Sequence, residues 1–131
     1  MIHLRLEPRS GLPPYVQLVK QIRFAVRNGT LRPGMKLPAA REVVSSLAIN
    51  PNTVFKAYAQ LEREGLITSR PGQGTFVAAN VPHPIDDQVQ RKLRRALDSW
   101  LTAALKAGLE REVALAMFMQ ALDTSYVEGI A

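Results

Sequence analysis

Residues 50–58, which read Asn-Pro-Asn-Thr-Val-Phe-Lys-Ala-Tyr, constrain the fold more than any other segment of the chain. Asn50 is a good N-cap, and Pro51 suits the first helical position, where a missing N–H loses no intrahelical partner. The helix that follows is amphipathic. Its polar side holds Asn52, Thr53 and Lys56, and its apolar side holds Val54, Ala57, Tyr58 and Leu61. This pattern fits a recognition helix entering a DNA major groove, but taken alone it is better explained by an ordinary capped amphipathic helix.

Positive charge is concentrated in the N-terminal part of the chain. The 131 residues carry a net charge of +6. Residues 1–80 contain 11 Lys and Arg against 4 Asp and Glu, whereas residues 81–131 contain 6 against 7. A basic part joined to a near-neutral part favours a polyanion-binding module followed by a segment with another role, although a solvated basic surface would have the same composition.

Several function classes are disfavoured by what the sequence lacks. There is no cysteine, which excludes disulfides, thiolate zinc sites and cysteine nucleophiles. The histidines, His3 and His83, lie far apart without a nucleophile or metal-ligand spacing around them. We therefore predict no enzyme activity, no catalytic residue, no metal site and no cofactor. The N-terminus has no apolar signal-peptide core and no apolar run approaches membrane-spanning length, which predicts a cytoplasmic protein without membrane contact.

The spacing of apolar residues predicts a mainly α chain with a small β-wing. The predicted helices cover residues 14–28, 39–47, 51–64, 84–106 and 110–127. The tight turn Ala48-Ile49 joins the second and third helices in a helix-turn-helix arrangement. Directly after it, two segments rich in β-branched residues, 66–70 and 75–77, flank a Pro-Gly turn and predict the wing of a winged helix. A short strand is predicted at residues 35–37.

The last third of the chain predicts a dimerisation region. We assign residues 1–78 to a winged helix-turn-helix domain, 79–84 to a linker and 85–131 to a two-helix dimerisation tail. Two helices cannot bury so apolar a surface alone, and a second copy related by two-fold symmetry supplies the missing surface. The residues predicted at this homodimer interface are Leu93, Leu97, Trp100, Leu101, Leu105, Met117, Phe118 and Leu122. A ligand pocket around Trp100 is the alternative.

Several short motifs occur in the order and spacing of a known family. They are Leu12-Pro13-Pro14-Tyr15, the segment 28–38, Arg41-Glu42, Asn52-Thr53-Val54, and the segments 61–67 and 72–77. Over residues 12–78 the chain closely resembles the DNA-binding domain of GntR-family bacterial transcription regulators. The short helical tail and the Asn-Pro-Asn-Thr-Val start of the third helix resemble the YtrA subfamily. The resemblance implies a homodimeric repressor, often of a transporter operon and of its own operon, and two-fold pairing predicts a palindromic operator in double-stranded DNA.

The chain also departs from the family pattern. Ala39 stands where many members have the serine that caps the second helix, so this cap is predicted to be missing. Pro51 and Phe55 stand where many members have arginine, so the base contacts of those arginines are not carried over. We therefore expect an operator unlike those of the better-known subfamilies. We also expect Phe55 to pack against the second helix, with a contact to a thymine methyl as the alternative, and Arg23 and Arg27 to be solvated.

Candidate DNA-binding residues follow from the resemblance and from side-chain chemistry. They are Lys36, Arg41, Asn50, Asn52, Thr53, Lys56, Arg70, Gln73 and Thr75. Arg41 suits a guanine or a phosphate, with a salt bridge to Glu42 as the alternative. Asn52 suits adenine N6 and N7, with a second capping role as the alternative. Thr53 and Lys56 suit phosphates, or a thymine methyl for Thr53, and the wing residues suit the DNA backbone or the minor groove.

The competing hypothesis is a winged helix used as a protein-interaction module without specific DNA binding. The basic N-terminal part and the polar start of the third helix argue against it. The sequence shows no effector domain, so it leaves open the small-molecule effector, the operator and the regulated genes.

Overall fold

The computed structural model describes residues 2–81 and 86–130, and the side chains of these residues up to residue 127. These residues form the helices α1 (Pro14–Arg27), α2 (Ala40–Leu47), α3 (Pro51–Arg63), α4 (Asp87–Lys106) and α5 (Arg111–Ile130), and the strands β1 (Ile67–Arg70) and β2 (Gly74–Val77). The predicted fold class is confirmed: a mainly α chain with a helix-turn-helix, a two-stranded wing and two further helices. The chain divides into two compact units, Met1–Asp87 and Gln88–Ala131.

The predicted helix ends are close to the observed ones, with a few differences. Residues 82–85 lie outside the described residues, and with them the second half of the predicted linker, His83 and the predicted start of the fourth helix at Pro84. The helix α4 begins at Asp87, and α5 continues to Ile130, three residues beyond its predicted end. Helix ends are weakly specified where no capping residue marks them, which explains the difference at α5.

The core of the N-terminal unit lies between α1, α3 and the wing. Leu18 and Ile22 of α1 and Leu61 of α3 are completely buried, and α1 packs along α3. The other members of this core are Val19, Ala25, Val26, Leu31, Leu37, Val43, Val54, Ala57, Tyr58, Ile67, Val77, Ala78 and Val81. The apolar stripe predicted for the third helix is thus confirmed. Because that stripe is buried, the opposite side of α3 faces solvent.

The helix α2 lacks a good cap at either end. At its N-terminus Ala39 makes no side-chain capping hydrogen bond, as predicted, and at its C-terminus Ala48 adopts the left-handed conformation with φ 53° and ψ 50°. A side chain with a Cβ atom is disfavoured in this conformation by about 1–2 kcal/mol, whereas glycine adopts it readily. The turn of the helix-turn-helix therefore contains a strained residue.

Replacing Ala48 by glycine should increase the free energy of unfolding by about 1 kcal/mol, because glycine relieves the left-handed strain although it also gains freedom in the unfolded chain. Chemical denaturation measures the change. The matched control is Ala59→Gly at an exposed position inside α3, where glycine should lower stability by about 0.5–1 kcal/mol. A loss of stability for both variants would show that Ala48 is not strained.

The wing is a tight antiparallel hairpin. Arg70 of β1 pairs with Gly74 of β2, and between them the Gln73 N–H donates to the Arg70 carbonyl at 2.9 Å. Pro71 precedes Gly72, whose φ of 74° matches the third position of a type II turn. The proline and the glycine therefore define the turn that the sequence predicts.

The predicted short strand at residues 35–37 lies beside β2. It forms a single bridge, between Lys36 and Phe76. The Leu37 N–H donates to the Thr75 carbonyl at 2.8 Å, which ties the segment before α2 to the wing. The wing and the start of α2 are thus held together by backbone hydrogen bonds.

The C-terminal unit consists of α4 and α5. Within residues 2–81 and 86–130, every helix is too short or too polar to cross a lipid bilayer. Gly108, with φ 79°, lies in the turn that joins the two helices. Most large apolar side chains of this unit remain exposed, because two helices enclose little volume between them.

Candidate nucleic-acid interface

The N-terminus of α3 is capped as the sequence predicts. The Asn50 side-chain oxygen accepts a hydrogen bond from the Asn52 N–H at 2.8 Å, and Pro51 occupies the first helical position. This hydrogen bond uses the Asn50 oxygen and leaves its NH₂ group free to donate to a phosphate. The second capping role considered for Asn52 is wrong, because its side chain makes no hydrogen bond to any other described residue. Asn52 is exposed and its amide is available to a ligand.

The exposed side of α3 holds Phe55 as well as the predicted polar residues. Asn52 and Lys56 are exposed, Thr53 is half-buried, and Phe55 is 58% exposed. The expectation that Phe55 packs mainly against α2 is therefore wrong. Val54 already fills the buried side of this turn, and the next residue is rotated about 100° away from it. A large apolar ring thus lies among the polar side chains at the start of the helix.

A basic groove runs between the start of α2 and the wing. It has a volume of about 660 Å³, and no Asp or Glu lines it. Among the residues that line it are Lys36, Arg41, Arg70, Gln73 and Thr75. The structure therefore brings together in one groove the wing candidates, Arg41 and Lys36, which are separated in the sequence by up to about 40 residues. An open groove with three cations and no carboxylate is suited to a polyanion.

Arg41 lies in the first turn of α2 and is exposed. Among the described residues it has no ion-pair partner, so the alternative of a salt bridge to Glu42 is wrong. Arg41 therefore keeps its donors available for a guanine or a phosphate.

A buried hydrogen bond fixes the backbone just before α2. The Tyr58 hydroxyl donates to the Pro38 carbonyl at 2.6 Å. Burial of the ring, and to a smaller extent the nearby charge of Glu42, raise the pKa of Tyr58 far above its usual value. The hydroxyl therefore stays protonated and donating at any ordinary pH, and it connects α3 to the segment that positions Arg41.

Replacing Tyr58 by phenylalanine should lower the free energy of unfolding by about 1–3 kcal/mol, because the Pro38 carbonyl loses its partner in a buried position. Thermal or chemical denaturation measures the loss. Tyr15→Phe is the matched control, since the Tyr15 hydroxyl makes no hydrogen bond to a described residue and its removal should change stability by less than about 0.5 kcal/mol. Equal effects for both variants would mean that the hydrogen bond to Pro38 contributes nothing.

Two of the predicted DNA-binding cations lie against aromatic rings. The Lys56 ammonium is 4.0 Å from the centre of the Tyr15 ring, and the Arg70 guanidinium is 4.4 Å from the centre of the Phe76 ring. Neither contact follows from the order of residues along the chain. Tyr15 lies on α1, 41 residues before Lys56, and only the packing of α1 against α3 brings them together.

The expectation that Arg23 is solvated is wrong. Its guanidinium forms two hydrogen bonds to the Glu64 carboxylate, at 3.0 and 2.9 Å. This pair connects α1 to the end of α3, and the hydrogen bond from Arg23 lowers the pKa of Glu64. The pair withdraws one cation from the basic surface. Arg27, by contrast, is exposed as expected.

The Lys36 side chain lies over the wing. A Cβ atom added at Gly74 would come within 2.8 Å of the Lys36 Cε. Because Gly74 has no side chain, the aliphatic part of the Lys36 side chain has room beside it in the basic groove.

In the C-terminal unit, an apolar groove of about 560 Å³ runs between α4 and α5. It is lined by Leu97, Trp100, Leu101, Ala104, Leu105, Leu109, Arg111, Ala114, Leu115 and Phe118. The Trp100 and Phe118 rings lie on its wall, with their centres 6.3 Å apart. The groove thus contains most of the residues predicted for dimerisation. Leu93 and Met117 lie outside it as exposed side chains, and Leu122 is half-buried.

Comparison with known proteins agrees with this geometry. The model of the gntR family of bacterial regulatory proteins matches residues 14–77. The HTH-type transcriptional repressor YtrA of Bacillus subtilis is 36% identical over 109 residues, which cover 83% of this chain and 84% of that protein.

Solved structures show the same relationship. A structure of YtrA from Sulfolobus acidocaldarius, a GntR-family transcription factor, is 32% identical, with a TM-score of 0.55, and the match covers 76% of this chain and 97% of that one. The DNA-binding domain of AraR in complex with an operator is 34% identical, with a TM-score of 0.52, over 60% of this chain and 100% of that one. The chain therefore belongs to the GntR family of bacterial regulatory proteins, whose members are transcription regulators rather than enzymes, and within it to the YtrA subfamily.

Proposed function

We propose that this transcription regulator is a homodimeric repressor that binds a palindromic operator in double-stranded DNA in the cytoplasm, and that its targets include its own operon and a transporter operon. The basic groove beside α2 carries the proposal, because it gathers Lys36, Arg41 and Arg70 without a carboxylate among its lining residues. Repressor names among the relatives, such as YtrA of Bacillus subtilis, support the direction of regulation.

Two surfaces of the N-terminal unit, the start of α3 and the wing, would contact the operator DNA. The exposed start of α3 presents Asn52, Thr53 and Lys56, which suits base edges and phosphates in the major groove. The wing presents Gln73 and Thr75, which suits the DNA backbone or the minor groove. The Asn50 NH₂ group and Lys36 would add phosphate contacts.

The C-terminal unit would supply the dimer contact. The apolar groove around Trp100 is suited to apolar side chains of a second copy, and two-fold pairing is the usual solution for a surface of this kind. A symmetric dimer would place two α3 helices on half-sites one or more helical turns apart. A small-molecule ligand in the same groove is the alternative, and it would leave the protein monomeric.

The competing hypothesis is that the winged helix binds another protein and not specific DNA. A groove with three cations also suits an acidic peptide, but such a peptide in the groove would leave the exposed amide of Asn52 unused. The DNA-binding hypothesis uses both surfaces.

A DNase I footprint on the region upstream of the protein's own gene tests the proposal. We expect a protected segment that overlaps the promoter and contains two inverted half-sites, and reduced transcription from this promoter when the protein is added in vitro. Protection without reduced transcription would contradict repression. An unprotected region would remove the protein's own operon from its targets.

A further inference from the structure

We propose that Tyr15 and Phe76 are positioning residues for DNA binding: each ring holds one basic side chain at the surface in a position from which it meets a phosphate. The inference rests on the proposed function, since it assigns roles within DNA binding. Neither aromatic residue is among the predicted DNA-binding residues. Their role would be exerted through Lys56 and Arg70.

The Tyr15 ring is anchored while Lys56 is exposed. Tyr15 is half-buried and packs against the core of the N-terminal unit, whereas Lys56 lies on the solvent side of α3 with its ammonium 4.0 Å from the ring centre. The face of an aromatic ring attracts a cation within about 6 Å. A free lysine side chain samples many rotamers and loses them on binding. The ring restricts these rotamers before DNA arrives, and the other side of the ammonium stays open.

On the wing, the Phe76 ring restricts the rotamers of Arg70. The Arg70 guanidinium is 4.4 Å from the Phe76 ring centre, and Phe76 is also the residue that bridges to Lys36. The bridge is a backbone pairing, so the ring contact of Phe76 concerns Arg70, while its backbone lies beside that of Lys36. An arginine held on a ring keeps its charge and its in-plane donors, which suits a phosphate.

The pattern of contacts favours positioning over incidental packing. Within the part of the chain that the structure describes, two cation–ring contacts occur, and each involves a cation that the sequence assigns to DNA. Each ring belongs to a different element from its cation: Tyr15 lies on α1 and Lys56 on α3, while Phe76 and Arg70 lie on opposite strands of the hairpin. The Tyr15 ring therefore fixes Lys56 relative to α1, and the Phe76 ring fixes Arg70 relative to the second strand of the wing.

A double-mutant cycle tests the Tyr15 pair. The affinity for a duplex that the protein selects from a random-sequence pool is measured for Tyr15→Leu and Tyr15→Phe, each with Lys56 and with Lys56→Ala. We expect Tyr15→Leu to weaken binding about two- to fivefold per half-site, and Tyr15→Phe to bind as the parent does because it keeps a ring. With Lys56→Ala present, Tyr15→Leu should have no further effect. An equal loss in both backgrounds would overturn the inference.

The salt dependence separates positioning from direct contact. Tyr15→Leu leaves the charge of Lys56 in place, so the slope of log affinity against log salt concentration should not change, whereas Lys56→Ala should reduce the slope by about one per half-site. Phe76→Leu, with Phe76→Tyr as the control that keeps a ring, repeats the test on the wing. If Tyr15→Leu does not fold, the double-mutant cycle of Phe76→Leu with Arg70→Ala tests the inference instead.

A measurement without DNA separates failure of this inference from failure of the proposed function. In the free protein, ring currents from Tyr15 should shift the Lys56 ε-methylene proton resonances upfield, and Tyr15→Leu should return them to ordinary values. The exposed Lys20 is the control and should keep ordinary values in both proteins. Ordinary Lys56 resonances in the parent protein would overturn the inference even if DNA binding is found. Shifted resonances without DNA binding would instead contradict the proposed function.

Discussion

Replacing Trp100 by glutamate should convert the protein to a monomer. The Trp100 ring forms part of the wall of the apolar groove, in contact with Phe118. A carboxylate at this position would have to lose its water on dimerisation in a groove whose lining is apolar apart from Arg111. We expect a penalty of at least about 3 kcal/mol, which is a loss of more than about 100-fold in dimer affinity.

Sedimentation velocity over a range of concentrations measures the effect. The matched control is Ser99→Glu, which adds the same charge at the exposed neighbouring position of the same helix and should remain dimeric. Circular dichroism shows whether α4 and α5 stay helical in the variant. A dimer of parental affinity would remove Trp100 from the interface. A parent protein that is itself a monomer would contradict the dimer proposal and favour a ligand in the groove.

Replacing Arg41 by alanine should weaken binding to the specific operator by about 1–3 kcal/mol per half-site. Arg41 lies in the basic groove, is exposed and has no ion-pair partner among the described residues. Because a symmetric dimer contains it twice, the total loss should be about 2–6 kcal/mol, with the fold unchanged.

Fluorescence anisotropy with a labelled operator duplex measures this loss. Arg27→Ala is the matched control, because Arg27 is exposed on α1, outside the residues that line the groove. It removes the same charge, so it shows how much of the loss comes from net charge alone, and we expect less than about 1 kcal/mol. If both variants weaken binding equally, Arg41 makes no local contact. If Arg41→Ala binds like the parent, the groove assignment is wrong.

Local rules made the elements of the N-terminal unit predictable. The Asn50 cap and Pro51 set the start of α3, and the Pro71-Gly72 turn sets the wing, because each depends on the conformational preference of one or two residues. The apolar stripe of α3 predicted which side is buried. These features also placed Asn52 and Lys56 on the exposed side.

Contacts between distant elements were not predictable from the sequence. Arg23 pairs with Glu64, and Tyr15 with Lys56, only because α1 packs along α3 in one particular rotation. Nothing in a single sequence specifies this rotation to the accuracy that a side-chain contact requires.

In the C-terminal unit, the sequence predicts the helices but not the side of α5 that packs. The sequence predicts two helices there, but α5 is apolar on more than one side, with exposed Val113, Leu115 and Met119 around its circumference. An amphipathic pattern predicts a packing face only when the rest of the helix is polar. The sequence therefore does not specify which side of α5 contacts a second copy. That the side lining the apolar groove makes this contact stays a prediction.

Selection of bound duplexes from a random-sequence pool at near-physiological salt tests the central claim most directly. A dimeric, sequence-specific regulator should enrich an inverted repeat, and the spacing of its half-sites would give the distance between the two α3 helices. The lack of any enriched sequence, with binding that disappears as salt rises, would show only backbone attraction and would contradict the claim.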